Sequence, residues 1–329
     1  MENENNLKIL NLITLIIICL CFYYIRHLLL INKTLEYIKN NENKNTIDDP
    51  LDMCYKSRNL IYSKLRQVND SNLITIQQKL NYLMIHESPD YKSKLVDKIL
   101  LHNYSKKKLG KDICVPILKI YNDSKDINID ELPDKFVLKC NHGSAMNIIC
   151  NNKSKFNLED AKSKLNVWKN TNFGLKLYEF QYINTERKIF AETYLKDNIE
   201  DYKIYCFHGN PKFIRVQKHL EGTVGKINNY YDLDWKITDI ETGLPNFFRR
   251  PDIIFDKPIN FDLMIEYAKK LSEDFVFVRV DFYNINGKIY LGEMTFSPSS
   301  NGFKLKNKEQ SIELGKLINL DKINKNLFN

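Results

Sequence analysis

The chain has 329 residues and a formal net charge of +8, which is enough length for two or three domains with a substantial core. The basic residues are spread along the chain without a dense Lys/Arg block, which argues against a nucleic-acid-binding protein. Its seven cysteines contain no CxxC motif, so the composition indicates neither a disulfide framework nor a zinc site and favours a reducing compartment.

An apolar stretch near the start, Ile9–Ile25, predicts a membrane anchor over residues 1–32. It runs for about 17 residues, near the lower limit for a helix that spans a bilayer. A cleaved signal peptide would need a basic start and a small-residue cleavage site, whereas the sequence here begins MENENNLK. Lysine and arginine residues follow the stretch, so the positive-inside rule predicts a single-pass membrane protein with its globular part on the cytoplasmic side. The polar residues 33–72 are predicted to form a linker or stalk.

Residues 73–130 are predicted to form a helical region that precedes the main domain. Apolar residues recur at helical spacing over Ile74–Lys108, and the Ser88-Pro89-Asp90 sequence divides that stretch into two helices. Lys98 lies within the second predicted helix, and we interpret it as a solvent-exposed charge. A short strand over Val115–Tyr121 follows.

A candidate phosphate-binding loop follows the predicted strand Phe136–Cys140. The loop Asn141–Ala145 is built of small and polar residues, and a second apolar strand comes after it. Such a loop can place backbone N–H groups over a phosphate, with Lys139 close enough to meet the phosphate charge. It is not a P-loop, because it lacks GxxxxGK(S/T) and no helix follows directly. We expect His142 to donate a hydrogen bond rather than to act as an acid or base.

The following segments predict a helix and then a meander of antiparallel strands. The helix covers Asn157–Asn170, with Asn157 as its N-cap. The strands are predicted over Lys188–Leu195, Asp201–Phe207 and Lys212–Gln217. A further helix, Phe261–Glu273, leads into the last hairpin.

The last hairpin carries the strongest chemical signal in the chain. Asn286-Gly287 is a typical two-residue hairpin turn. Its two strands are predicted over Phe275–Tyr283 and Lys288–Phe296. Each strand carries one acidic residue, Asp281 and Glu293, and a bulge at Gly292 would bring the two carboxylates onto one face. Buried carboxylates in this arrangement suit Mg²⁺, which proteins bind through one or two carboxylates together with substrate phosphates.

Five stretches of the chain together resemble the TupA-like family of the ATP-grasp superfamily. They are DKILLHNY (97–104), LPDKFVLKCNHGS (132–144), DYKIYCFHGNPKFI (201–214), YYDLDW (230–235) and FVRVDFYNINGKIYLGEMTF (277–296). The resemblance implies an α+β ATP-grasp fold, in which two α+β subdomains grip ATP between antiparallel sheets. This domain would span 131–304, with a C-terminal tail at 305–329.

The resemblance also implies roles for individual residues. Arg279 and Lys139 would be catalytic, and Asp281, Glu293 and Thr295 would bind Mg²⁺. ATP would contact Lys139, Asn141, His142, Gly143, Ser144, Glu192, Tyr194, Leu195, Asp201, Lys203, Lys226 and Lys236. Within this set, Glu192 to Leu195 would form the adenine hinge and Asp201 would bind the ribose. The second phosphate contact remains open among the three lysines at 203, 226 and 236.

Three positions depart from the family pattern. Thr295 stands where many ATP-grasp enzymes have a metal-binding asparagine. Ala145 replaces a glycine, although alanine has poor access to positive φ angles. His102 stands where a fixed positive charge is usual, which would make that contact dependent on pH.

The resemblance implies an ATP-dependent carboxylate–amine ligase that acts through an acyl phosphate in surface polysaccharide or glycoconjugate biosynthesis. Its partners would be ATP, a small-molecule carboxylate and an amine or sugar-polymer substrate, with the membrane contacted through the N-terminal helix. One alternative is a glycosyltransferase-like enzyme, for which Asp232-Leu233-Asp234 offers a DxD motif. Another is a membrane-tethered nucleotide-binding protein with a degenerate active site.

Overall fold

A computed structural model describes residues 73–87, 89–171, 173–174, 179–219, 225–242, 247–301 and 305–323. The predicted membrane anchor and linker lie outside the described residues. Within the described part of the chain, none of the helices has the length and apolar character required to cross a membrane. All the described residues belong to one folded unit that spans 66–329.

Three helices form the predicted helical region: α1 (Ile76–His86), α2 (Pro89–Val96) and α3 (Leu101–Leu109). The first break falls before Pro89, where α2 begins, as predicted. A second break, at Asp97–Leu100, was not predicted and divides the expected second helix into two. Thr75 begins α1 with a capping box, in which the Thr75 and Gln78 side chains accept each other's backbone N–H groups.

The smaller of two sheets contains four antiparallel strands in the order β1-β4-β2-β3. Its strands are β1 (Ile117–Tyr121), β2 (Phe136–Cys140), β3 (Asn147–Cys150) and β4 (Ile189–Thr193). Helix α4 (Leu158–Asn170) packs against β2, and its N-cap Asn157 accepts the backbone N–H of Asp160 at 3.0 Å. We call this the small sheet.

The larger sheet has six strands in the order β10-β9-β5-β6-β7-β8. Its strands are β5 (Asp201–Phe207), β6 (Asn210–His219), β7 (Lys226–Tyr231), β8 (Phe247–Phe248), β9 (Phe277–Ile285) and β10 (Lys288–Thr295). Among these strands only β7 and β8 pair in parallel. The predicted antiparallel meander is confirmed for Asp201–Phe207 and Lys212–Gln217, which pair as β5 and β6. It is wrong for Lys188–Leu195, because that strand, β4, pairs with β1 and β2 in the small sheet. We call this the large sheet.

The two faces of the large sheet differ in character. One face packs on helix α5 (Phe261–Ser272), and its side chains at Ile204, Ile214, Val280 and Phe282 are fully buried. The other face carries the alternate residues of the same strands, which are mainly charged and polar. Because side chains alternate along a strand, this division places the predicted site residues of β5, β9 and β10 on one surface.

The C-terminal segment returns to the helical region. Helix α6 (Lys308–Lys316) packs against α1, and the Lys79 ammonium group donates to the Ile318 carbonyl at 2.7 Å. Ile318 and Leu320 are buried. The start and the end of the described chain therefore lie together.

Candidate functional site

The two acidic residues of the last hairpin lie side by side across β9 and β10. The pairing is regular as far as Phe282–Leu291, and then a β-bulge at Gly292 lets Glu293 pair with Asp281. In a ladder without a bulge, Gly292 would stand opposite Asp281 and Glu293 would point toward the core. The predicted bulge is confirmed, and it brings both carboxylates onto the polar face of the large sheet.

Asp281 is held by two cations. Arg279 donates to both of its carboxylate oxygens, from Nε and Nη2, at 2.6 Å each. Lys203 Nζ donates to Asp281 Oδ2 at 2.8 Å. The three side chains meet because Arg279 and Asp281 are two residues apart on β9 and Lys203 stands opposite Asp281 on β5. All three residues are 4–7% exposed, so the carboxylate is buried with its charge compensated.

Glu293 and Thr295 extend this cluster on β10. Arg279 Nη2 lies 3.3 Å from Glu293 Oε1 and donates to Thr295 Oγ1 at 3.0 Å. The Thr295 hydroxyl in turn donates to Glu293 Oε1 at 2.5 Å. The Glu293 side chain is 25% exposed, so this part of the cluster opens to solvent.

Both carboxylates are set to be ionised at neutral pH. Burial acts to raise the pKa of Asp281, but Arg279 and Lys203 outweigh it and hold that pKa below its ordinary value. Burial and the Asp281 charge act to raise the pKa of Glu293, and Lys98 and Arg279 bring it below its ordinary value as well. Two ionised carboxylates and a hydroxyl offer only oxygen ligands, which fit a hard cation such as Mg²⁺.

The small sheet supplies the other side of the site. Lys139 on β2 forms an ion pair with Glu192 on β4. Both residues line a pocket that also contains residues of the helical region and of β10. These further lining residues are Lys98, Leu101, His102, Cys114, Val115, Leu291 and Gly292. The pocket therefore brings Lys139 of the small sheet close to the bulge of the large sheet.

Two residues of the predicted phosphate loop hold the loop in place. Asn141 Nδ2 donates to Asp97 Oδ2 at 2.8 Å, and Asn141 Oδ1 accepts the Lys188 N–H at 2.8 Å. His142 is 1% exposed, and its Nε2 lies 3.2 Å from the Trp168 carbonyl oxygen. Burial lowers the pKa of His142, so the ring is neutral at physiological pH. Contact of Asn141 and His142 with the nucleotide stays a prediction.

The other residues of the loop differ in packing, exposure and backbone conformation. A Cβ atom at Gly143 would lie 2.7 Å from Met146 Sδ, so a larger residue would displace that side chain. Ser144 and Ala145 are exposed. Ala145 has φ of 58°, which is the left-handed conformation that glycine adopts more readily. The backbone therefore has the geometry expected for a glycine at this position.

The interpretation of Lys98 as a solvent-exposed charge is wrong. Lys98 lies in the turn after α2, and its side chain is 15% exposed. Its Nζ donates to the Gly143 carbonyl at 2.7 Å and lies 4.0 Å from Glu293 Oε2. Burial lowers the pKa of Lys98, while the Glu293 charge acts in the opposite direction. Lys98 thus connects the phosphate loop with the carboxylate cluster, and its only sequence signal was its place in the DKILLHNY stretch.

The predicted adenine hinge follows β4. Glu192 is buried and forms an ion pair with Lys139, whereas Tyr194 and Leu195 are half-buried. Asp201, predicted to bind the ribose, begins β5, and its Oδ2 lies 3.3 Å from Lys203 Nζ. Their contacts with ATP stay predictions.

The three candidate lysines for the second phosphate contact occupy different positions. Lys203 touches Asp281, as described above. Lys226 begins β7, where burial lowers its pKa and the nearby Asp201 opposes this effect. Lys236 is exposed in a turn beyond β7. The geometry favours Lys203 and, after it, Lys226 over Lys236.

His102 and the DxD motif have local partners. His102 Nδ1 lies 2.8 Å from Asp112 Oδ2, at the edge of the pocket. Asp232 Oδ1 accepts the Lys236 N–H at 2.8 Å and so closes a turn, and Trp235 stacks on Tyr231 with ring centroids 4.7 Å apart. These contacts give the DxD motif a structural role and do not favour a nucleotide-sugar site.

Several solved structures are similar to part of this chain. A search of curated proteins finds no match. Among solved structures, D-alanine–D-alanine ligase from Bacillus anthracis in complex with ATP is 16% identical, with a TM-score of 0.39 over 61% of this chain and 55% of that one. N5-carboxyaminoimidazole synthetase from Staphylococcus aureus is 17% identical, with a TM-score of 0.34 over 61% of this chain and 44% of that one. This chain therefore spans about half the length of these two proteins.

A third solved structure is also similar to this chain, and a family model matches it. The ATP-grasp ligase PsnB, complexed with a precursor peptide and AMPPNP, is 13% identical, with a TM-score of 0.36 over 79% of this chain and 69% of that one. The family model described as TupA-like ATP-grasp matches residues 78–319, which is well over half of the chain. This match confirms the predicted family, and the structure has the α+β content and antiparallel sheets that were predicted with it. The chain belongs to the TupA-like ATP-grasp family.

Proposed function

We propose that this protein is an ATP-dependent ligase that joins a carboxylate to an amine through an acyl phosphate. The observation that carries the proposal is the convergence of charge between the two sheets. Asp281, Glu293 and Arg279 project from the polar face of the large sheet. Lys98 and Lys139 line the adjoining pocket, which reaches the bulge at Gly292, and Lys98 Nζ lies 4.0 Å from Glu293 Oε2. Such a set of charges is suited to a triphosphate and its metal ion.

In the first step, an oxygen of the substrate carboxylate attacks the γ-phosphorus of ATP. The bond between that phosphorus and the bridging oxygen breaks, which gives ADP and an acyl phosphate. Lys139 and Lys98 are placed to neutralise phosphate charge, and Arg279 to stabilise the transferred group. Bound to Asp281 and Glu293, Mg²⁺ would supply further positive charge on the phosphates.

In the second step, the amine nitrogen attacks the acyl carbon and phosphate leaves, with loss of a proton from nitrogen. This route requires no protein nucleophile. The described cysteines fit that view, because burial raises the pKa of Cys140 and of Cys206 to about 12 and keeps these thiols protonated. The protein's contribution is to position the reactants and to compensate charge.

The substrates that we propose are a carboxylate and an amine used in surface polysaccharide or glycoconjugate biosynthesis. This part of the proposal is supported by the resemblance to the family alone. We further propose that the apolar stretch Ile9–Ile25 tethers the enzyme to a membrane, with the globular part on the cytoplasmic side. Work on a lipid-linked or surface polymer would suit such an anchor.

Calorimetric titration of ATP with and without Mg²⁺ tests the nucleotide site. The wild type is expected to bind ATP at micromolar concentration only when Mg²⁺ is present. Glu293→Gln is expected to lose this Mg²⁺-dependent binding of ATP. Asp252→Asn is a suitable control, because Asp252 is exposed and, among the described residues, forms an ion pair only with Arg250. Absence of Mg²⁺-dependent binding in the wild type would overturn the proposal.

Product formation tests the reaction class. Amino acids and uronic acids would be screened in pairs for release of ADP and phosphate, with mass spectrometry of the condensation product. Release of ADP only when both a carboxylate and an amine are present is the expected result. ATP binding without turnover of any pair would favour the degenerate nucleotide-binding protein instead.

A further inference from the structure

The polar face of the large sheet continues beyond the proposed nucleotide site. Strand pairing places one residue from each of five neighbouring strands in a single row across this face. The row is Glu293, Asp281, Lys203, Arg215 and Tyr230, on β10, β9, β5, β6 and β7 in turn. The proposed site uses Glu293 and Asp281 directly and Lys203 as the partner of Asp281, and it leaves Arg215 and its neighbours without a role.

Arg215 is a buried cation that forms no ion pair with an acidic side chain in the described part of the chain. It is 4% exposed, and its Nε has no hydrogen-bond partner among the described residues. No aspartate or glutamate of the described residues forms an ion pair with it, whereas Arg279 on the same face is paired with Asp281 and Glu293. The groups that act on its charge are the phenols of Tyr205 and Tyr230, then Arg279, and last Asp281, which Arg279 and Lys203 already hold. A buried charge of this kind destabilises the fold unless a counterion joins it.

A second buried donor lies beside it. Gln217 follows Arg215 on the same face of β6 and stands opposite Asn228 on β7. Gln217 Nε2 donates to Asn228 Oδ1 at 3.0 Å, which orients the Asn228 amide. Asn228 is 2% exposed, and its Nδ2 group has no acceptor within the part of the chain that the structure describes. Two neighbouring buried donors without acceptors are complementary to an oxyanion, which offers acceptors and negative charge together.

We propose that Arg215 and Asn228 form a subsite for an oxyanion of the carboxylate substrate, so that this substrate carries a second anionic group besides the one that is activated. The inference rests on the proposed ligase function. Neighbouring strands lie about 4.8 Å apart, so β6 lies roughly 10 Å from β9 across the sheet. A small molecule with two carboxylates can bridge that separation, because the side chains of Arg215 on β6 and Arg279 on β9 cover part of the distance. A phosphate of the nucleotide offers the same chemistry, and the experiment separates the two sources.

The test uses malonate as an oxyanion probe and malonamide as its uncharged counterpart, titrated by calorimetry into the full-length protein with and without saturating MgADP. Malonate is expected to bind the wild type saturably and malonamide is not. Arg215→Met is expected to weaken malonate binding at least tenfold while the dissociation constant for ADP changes less than twofold. Asn228→Ala is expected to weaken malonate binding several-fold, and it serves as a second variant. Arg250→Met is the control, because Arg250 is exposed and already paired with Asp252.

Stability gives an independent readout. Arg215→Met removes a buried charge that forms no ion pair among the described residues, so its thermal midpoint without anion is expected to be higher than that of the wild type. Equal malonate affinity in Arg215→Met and wild type, or no saturable malonate binding to the wild type, would overturn the subsite. A parallel loss of ADP and malonate binding in Arg215→Met would assign Arg215 to the nucleotide and also overturn it. Failure of the ligase proposal is seen separately, as absence of Mg²⁺-dependent ADP binding in the wild type.

Discussion

Among single residues, the two metal-binding candidates differ in how their charge is compensated. Asp281 is almost fully buried and touches both Arg279 and Lys203. Glu293 is 25% exposed and is reached by water. Removal of either charge should impair metal binding, but only the loss of Asp281 takes away the shortest ion-pair contact of two buried cations, Arg279 and Lys203.

Asp281→Asn is therefore expected to lower the free energy of unfolding by about 3–5 kcal/mol, as is usual when one partner of a buried ion pair is removed. Glu293→Gln is expected to lower it by about 1 kcal/mol or less, because a partly solvated ion pair contributes little. Urea titration of the two variants measures the difference. Similar free energies of unfolding would contradict the assignment of Asp281 as the main counterion of Arg279 and Lys203.

Lys98→Met is expected to weaken MgATP binding at least tenfold, which corresponds to about 1.4 kcal/mol. The reason is the loss of a buried cation between the Gly143 carbonyl and Glu293. Lys94→Met is the matched control, because Lys94 lies on α2 one turn earlier and is exposed. Calorimetric titration compares the two variants. If both bind MgATP like the wild type, Lys98 has no part in the nucleotide site.

The sequence predicts residues better when their signal is local. Asp281, Glu293 and the turn between them could be placed because the hairpin fixes its own pairing. Lys98 could not, since its burial results from contact with a loop 45 residues later in the chain. Arg215 is a similar case, because its missing counterion becomes apparent only when the pairing of β5, β6 and β7 is known.

Among the structural elements, the phosphate loop contains a residue with an unfavourable backbone conformation. Ala145 has φ of 58°, a conformation that costs a residue with a Cβ atom about 1–2 kcal/mol. Ala145→Gly removes this cost but gains flexibility in the unfolded chain, so a net stabilisation of about 0.5 kcal/mol is expected. Ser144→Gly, at an exposed neighbour without positive φ, is expected to destabilise by a similar amount. Chemical denaturation that ranks the two variants in the reverse order would contradict the loop geometry.

Most of the elements could be predicted because their periodicity and end signals are local. The helix capped by Asn157 and the strand Asp201–Phe207 match the structure. The family resemblance implied more than one sheet, but the distribution of the strands between them could not be predicted, because β9 pairs with β5 and β4 lies between β1 and β2. These pairings join distant parts of the chain, and local patterns contain no information about them.

At the level of the whole molecule, helices α1 and α6 join the two ends of the described chain. A Cβ atom at Gly315 would lie 2.1 Å from the Ile74 carbonyl oxygen and 2.9 Å from the Ile76 nitrogen. Gly→Ala within a helix ordinarily stabilises by about 1 kcal/mol, but here it should destabilise by roughly 1–3 kcal/mol, because the backbone of the other segment must move. Glu313→Ala, at an exposed position of the same helix, provides the control. A stabilised Gly315→Ala variant in urea titration would contradict this close contact.

The two tryptophans allow each sheet to be followed separately, since Trp168 lies on α4 beside the small sheet and Trp235 stacks on Tyr231 of the large sheet. In Trp235→Phe the remaining fluorescence reports the small sheet, and in Trp168→Phe it reports the large sheet.

If the nucleotide contacts both sheets, MgADP at about 100 times its dissociation constant should stabilise both variants by about 2.7 kcal/mol. Both urea midpoints should then rise together, and neither should rise when Glu293→Gln is added. A midpoint that rises only for the large-sheet reporter would mean that the nucleotide binds the large sheet alone, because a ligand stabilises only the parts of the fold that its site requires.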